Sequence, residues 1–153
     1  MAKTTTLPIT QTIQNPVVAI VNSTSFIAAN GGTSPTNTVL FMTAGAEGSE
    51  VKSIMIASDD SSARQISFYL STDAGTTKYL ISTINVPIGS GLTSGTTANI
   101  DVLGSTAMVG LPLDQSGKPV MILVASARIY VGVITAVVTS GRTIHITGQV
   151  EDY

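Results

Sequence analysis

From Val17 onward, apolar residues fall in short alternating or continuous runs separated by clusters of Gly, Ser, Asn, Asp and Pro. That punctuation is the mark of an all-β chain. It predicts strands at Val17–Asn22, Thr38–Thr43, Glu50–Ala57, Arg64–Ser71, Lys78–Val86, Pro119–Val124, Ala127–Thr139 and Arg142–Val150. In the fourth, Ile66, Phe68 and Leu70 take one face while Ser67, Tyr69 and Ser71 take the other; in the last, Ile144, Ile146 and Val150 oppose Thr143, His145, Thr147 and Gln149. Strands with one apolar face suit two antiparallel sheets packed face to face, with water or a partner outside. The expected fold is therefore an antiparallel β-sandwich, jelly-roll or Greek-key like. No stretch has helical periodicity beyond two turns, so at most one short helix is expected, at Asp101–Met108, with Asn99 or Asp101 as its cap. Around it, Pro87 to Pro119 is a Gly/Thr/Ser-rich connection longer than a hairpin needs, the kind that usually carries function or contacts something else.

Residues Met1–Asn15 differ from the rest: polar, rich in Thr and Gln, with Leu7, Ile9 and Ile13 as spaced apolar positions. Even spacing puts those three on one side of an extended chain. They are the candidate partner-binding residues of an N-terminal arm preceding a single β-sandwich domain at 16–153, although a frayed terminus fits the same residues. The start of the chain lacks the apolar core of a secretory signal. Pro119–Ser140 is long enough to cross a bilayer, but Arg128 lies near its middle and Ala125-Ser126-Ala127 splits it into two strand-length runs. Two buried strands joined by a tight corner are expected there.

Composition narrows the function. Charged residues make up 10% of the 153, with 7 Lys and Arg against 9 Asp and Glu, and the cations are scattered singly. No stripe exists to follow a phosphate backbone, so neither nucleic acid nor a membrane is an expected partner. The absence of cysteine removes disulfides, thiolate metal sites and a Cys nucleophile. With one histidine, a catalytic triad or multi-histidine site within one chain is excluded. An enzyme is not expected, nor any cofactor.

Remaining candidates are sparse. His145 is expected on the outward face of the last strand, where only a three-fold arrangement of chains could gather copies round an ion. Asp59-Asp60 in Ser58-Asp59-Asp60-Ser61-Ser62 offers carboxylates to calcium, but the spacing lacks staggered ligands and a closing Glu. A solvated turn with Asp bonding local amides is the alternative. Gly89-Ser90-Gly91 and Gly95-Thr96-Thr97 lack the lysine of a phosphate loop. Tyr69, Tyr79 and Tyr130 are the aromatic faces that a sugar could use; packing across strands is their commoner role.

Strand edges in soluble monomers usually carry Lys or Glu to block pairing, and here they are nearly bare. Much of the exterior is expected to lie against other chains. Two stretches bear on what those chains are. Leu40-Phe41-Met42-Thr43-Ala44-Gly45-Ala46-Glu47-Gly48-Ser49-Glu50-Val51-Lys52-Ser53-Ile54 with Ala57-Ser58-Asp59-Asp60-Ser61-Ser62-Ala63-Arg64 is one; Asp101-Val102-Leu103-Gly104-Ser105 leading to Gly110-Leu111-Pro112-Leu113-Asp114-Gln115-Ser116-Gly117-Lys118-Pro119 is the other. Over about Val39 to Val138 the chain resembles the capsid decoration, or cement, proteins of tailed bacteriophages. That resemblance implies a sandwich or jelly roll, commonly a homotrimer, bound to the major capsid protein on the outside of the virion after synthesis in the host cytoplasm. The alternative is a binding module of receptor-binding or fibre type, recognising glycans or a host surface through the loops at Pro87–Gly95 or Asn30–Pro35.

Overall fold

A computed structural model describes residues 12–23, 35–92, 98–134 and 138–153. Leu7 and Ile9 lie outside the described residues, as do most of the Asn30–Pro35 loop and Gly95-Thr96-Thr97. The described residues form ten strands and no helix: β1 (Thr12–Gln14), β2 (Val17–Ile20), β3 (Val39–Thr43), β4 (Ser49–Ser58), β5 (Arg64–Ser71), β6 (Tyr79–Val86), β7 (Ile100–Asp101), β8 (Met121–Leu123), β9 (Arg128–Ile134) and β10 (Ile144–Asp152). Two antiparallel sheets result. The first runs β1-β10-β4-β7, with β2 also on β10 and β8 also on β4; the second runs β3-β9-β5-β6. All eight expected strands are present, and the expected all-β sandwich is the fold.

Between the sheets lies one apolar core, in which Ile20, Ile54, Ile56, Ile144 and Ile146 of the first meet Ile66, Phe68, Ile129 and Val131 of the second. All nine side chains are fully buried. Burying each from water contributes about 1.5–3 kcal/mol before the entropy of ordering the chain. The β-branched residues fit because a pleated strand accepts their one stiff rotamer.

Three bulges adjust which side chains enter that core. In β4, Gln149 pairs with Ser53 and Val150 with Val51, leaving Lys52 as the extra residue. Simple alternation would put Lys52 on the same face as Ile54 and Ile56; the bulge inserts Val51 there instead and leaves Lys52 outside. In β3 the shift between Leu40 and Met42 turns both Phe41 and Met42 inward. Phe41 then crosses to Gly148 of β10, where a Cβ would stand 2.9 Å from its ring, so that position has no room for a side chain. The third bulge, between Phe68 and Tyr69, leaves Ile81 of β6 unpaired.

The predicted corner within Pro119–Ser140 is where the chain changes sheets, from β8 in the first to β9 in the second. Ala127 donates to Val124 O at 3.1 Å, and Ser126 takes a positive φ of 59° to close the turn.

The helix expected at Asp101–Met108 does not form. Ile100 and Asp101 are held as β7 against β4, and Val102 N donates to Ile54 O at 2.9 Å. The chain then makes two successive turns, Ser105 N to Val102 O and Met108 N to Ser105 O. Asp101 does act as a cap, accepting from Gly104 N at 3.2 Å, but of a turn. Sheet pairing outweighs the weak propensity of a segment containing Gly104 and Thr106. The turns bury Val102, Leu103 and Met108, so this part of the long connection closes the core.

The expected boundary at residue 16 is not a structural break. Thr12 to Gln14 pairs with Asp152 to Val150, and Val17 to Ile20 pairs with Thr147 to Ile144 in the same unshifted register. Gly148 N donates to Pro16 O at 2.9 Å between them. Residues 12–20 are one edge strand, split into β1 and β2 only because Pro16 has no N–H to give the ladder.

Candidate functional site

The outward face of the first sheet carries an ionic cluster. One cross-strand row there reads Ile13, Glu151, Glu50, Ile122. Its ends are 58% and 65% exposed isoleucines, and its middle is ionic. Lys52 Nζ lies 2.9 Å from Glu50 and 3.3 Å from Glu151, while Tyr153 Oη donates to Glu50 at 2.5 Å. The Tyr153 hydroxyl and then Lys52 pull the Glu50 carboxyl below its usual range. Conversely, the bond to Glu50, with burial, pushes the Tyr153 phenol up to about 12. Beside the row, the turn 113–116 overhangs a depression of about 570 Å³ lined by Glu50, Lys52, Leu113, Asp114 and Glu151. Asp114 is spent within its own turn, accepting from Ser116 N and Lys118 N at 2.8 and 2.9 Å.

Ile13, the one candidate arm residue within the described chain, thus sits in the molecule's own sheet opposite Glu151, with its side chain exposed. The structure does not bring Leu7 and Ile9 to it, since they lie outside the described residues. Its strand is fastened by a clasp that sequence reading missed: Asp152 accepts from Gln14 Nε2 and from Ser49 Oγ, and Gly45 N donates to Ser49 Oγ at 2.9 Å. Gln14 and Asp152 are 138 residues apart, and only the register of β1 on β10 makes them neighbours.

Asp59-Asp60 is not a solvated turn. Asp60 is 1% exposed. It accepts from Arg64 Nε at 2.7 Å, Thr139 Oγ1 at 2.5 Å, Thr139 N at 3.2 Å and Ser62 N at 3.1 Å. Asp59 accepts from Thr143 N at 2.5 Å. The pair ties the β4–β5 loop to the β9–β10 loop, and these donors fill the positions a cation would take. Burial pushes the Asp60 carboxyl up, but Arg64, Thr139 and Ser62 outweigh it, and its pKa falls from 3.8 to about 2. Among the described residues no group of three or more His, Asp and Glu is placed to hold a metal ion. His145 is exposed on the outward face of the first sheet, as expected.

The outward face of β5 differs from expectation, because it is covered. Ser67, Tyr69 and Ser71 are all buried. Tyr69 pairs with Tyr130 of β9, and the two rings pack together. Lys78 Nζ stands 4.8 Å above the Tyr130 ring, and a Cβ at Gly75 would be 2.2 Å from the Tyr130 oxygen. Of the three tyrosines considered for sugars, Tyr79 alone keeps an open face, at 56% exposure.

Scans against family models, curated proteins and solved structures find no match to the chain.

Proposed function

We propose that this protein is a structural component that coats the outside of a phage capsid as a homo-oligomer and stabilises the shell against opening. One observation carries the reading: the strands on the sheet edges are uncharged apart from Asp101, and they expose branched aliphatics. Val17 on β2, Leu40 on β3, Leu80 on β6 and Ile122 on β8 are 43–65% exposed. A free monomer would ordinarily protect such edges with charge. Several ionic groups are spent within the chain instead, Arg64 on Asp60, Lys52 on Glu50 and Glu151, and Arg128 on Ala74 O at 2.6 Å.

Strand order supports a jelly-roll reading of the sandwich. With β1 and β2 as one strand, the chain alternates between sheets at nearly every step, the exceptions being β5 to β6 and β7 to β8. The resemblance to decoration proteins supplies the partner, the major capsid protein, and the homotrimer. The mechanism is multivalent: an oligomer over a junction of capsid subunits must lose several contacts together before the shell opens. Expanded phage heads stripped of their decoration provide the test. The purified protein should co-sediment with them saturably and raise their dissociation temperature; failure to co-sediment overturns the reading. Binding on a glycan array with none to heads would favour the receptor-binding alternative, in which the loops at Pro87–Gly95 or Asn30–Pro35 make the contact.

A further inference from the structure

Among the described residues, no strand pairs with the outer side of the edge strand 12–20. In an antiparallel ladder, residues alternate between those that exchange hydrogen bonds with the neighbour and those whose N–H and C=O point away. The bond from Gly148 N to Pro16 O fixes the phase: even-numbered residues bond to β10. Ile13, Asn15, Val17 and Ala19 therefore turn their amides and carbonyls away from the sheet, as does Val21 just beyond β2 if the phase is continued. All five are exposed. A proline on an edge strand usually blunts its free side. Pro16 points the other way, so it weakens the internal ladder and leaves the outer row of donors and acceptors whole.

We propose that this edge pairs with the same edge of a second copy of the chain, antiparallel about a two-fold axis through Val17. Two features select that occupant. From Thr12 to Val21 there is no charge, so two copies meet without like-charge repulsion, and the neutral edge offers no attraction to a charged partner. The outward residues also read nearly the same in both directions from Val17: apolar Ile13 and Val21 at the ends, small or polar Asn15 and Ala19 between. A two-fold contact requires such self-complementarity. In this register Ile13 faces Val21 of the second copy, Asn15 faces Ala19, and Val17 faces itself. Moving the axis to Pro16 would set Asn15 against Val17 and Ile13 against Ala19, losing the apolar pairs.

The inference goes beyond the capsid reading and stands or falls separately, since the same two-fold contact joins single chains into dimers or homotrimers into hexamers. Because the chain has no cysteine, single substitutions report the register cleanly. Val17→Cys should oxidise to a covalent dimer on a non-reducing gel, the paired Cα atoms being about 5.5 Å apart. Ile13→Cys, equally exposed, should not, because the offset between copies puts its own counterpart about 27 Å away. Val17→Pro removes an outward donor without touching the bonds to β10, and should weaken dimerisation at least tenfold in analytical ultracentrifugation with the circular dichroism spectrum unchanged. Val17→Lys, on an exposed side chain, should do the same by placing two cations on the axis. A wild-type chain that sediments only as a monomer or trimer at high concentration, or Ile13→Cys linking as readily as Val17→Cys, overturns the proposal; co-sedimentation with phage heads is a separate readout.

Discussion

Asp60 and Glu50 make an instructive pair. Each is a carboxylate beside a cation, 2.7 Å from Arg64 and 2.9 Å from Lys52, and each also accepts from a hydroxyl, Thr139 or Tyr153. They differ in burial and reach. The Asp60 side chain is fully buried and its donors come from two loops far apart in sequence, whereas Glu50 and Lys52 remain 17% and 26% exposed on an open sheet face. Water screens the second pair and offers replacement bonds; it can do neither for the first. Similar ingredients therefore give a fastening in one place and a surface feature in the other.

That contrast can be broken by substitution. Asp60→Ala, which strands the Arg64 guanidinium and the Thr139 and Ser62 donors, should cost about 3–5 kcal/mol in a denaturant melt. A loss below about 1 kcal/mol would mean that the loops hold together without it. Next comes acid. The pKa of Asp60 is lowered from 3.8 to about 2, so its contribution is complete above about 3.8 and is lost as pH falls through about 2. Wild type should lose about 2 kcal/mol more than Asp60→Asn between pH 5 and pH 2. Lys52→Ala should cost less than about 1 kcal/mol, and still less in molar salt. The smallest effect is spectroscopic: Tyr153 should ionise near 12 in an ultraviolet titration, and Glu50→Gln should bring it back towards 10. Since the folded state holds that proton more tightly, the associated stability is present below about 10 and disappears as pH rises through about 12.

What was readable in the sequence follows the range of the interactions concerned. Arg64–Ser71 emerges with the predicted bounds because alternation and the flanking turn residues are local signals. The corner at Ala125-Ser126-Ala127 was legible for the same reason. Strands β1 and β7, three and two residues long, have no period of their own and exist only through β10 and β4. Likewise, nothing near Asp60 announces Thr139, nor anything near Gln14 Asp152, because pairing across the whole chain creates both contacts. The bulge at Lys52 corrects a strand whose simple alternation would have buried a lysine, and parity alone cannot reveal it. For the sugar reading, the tyrosines were visible but the covering of Tyr69 and Tyr130 was not.

The unshifted register across Pro16 has a practical consequence for dissecting the molecule. Cutting the chain after Asn15 would not trim an appendage; it would unzip half a strand and strip Val150 and Asp152 of their backbone partners and Asp152 of Gln14. Truncations meant to ask what residues 1–11 do should therefore stop at Gln11, so that any phenotype belongs to those residues rather than to a damaged sheet.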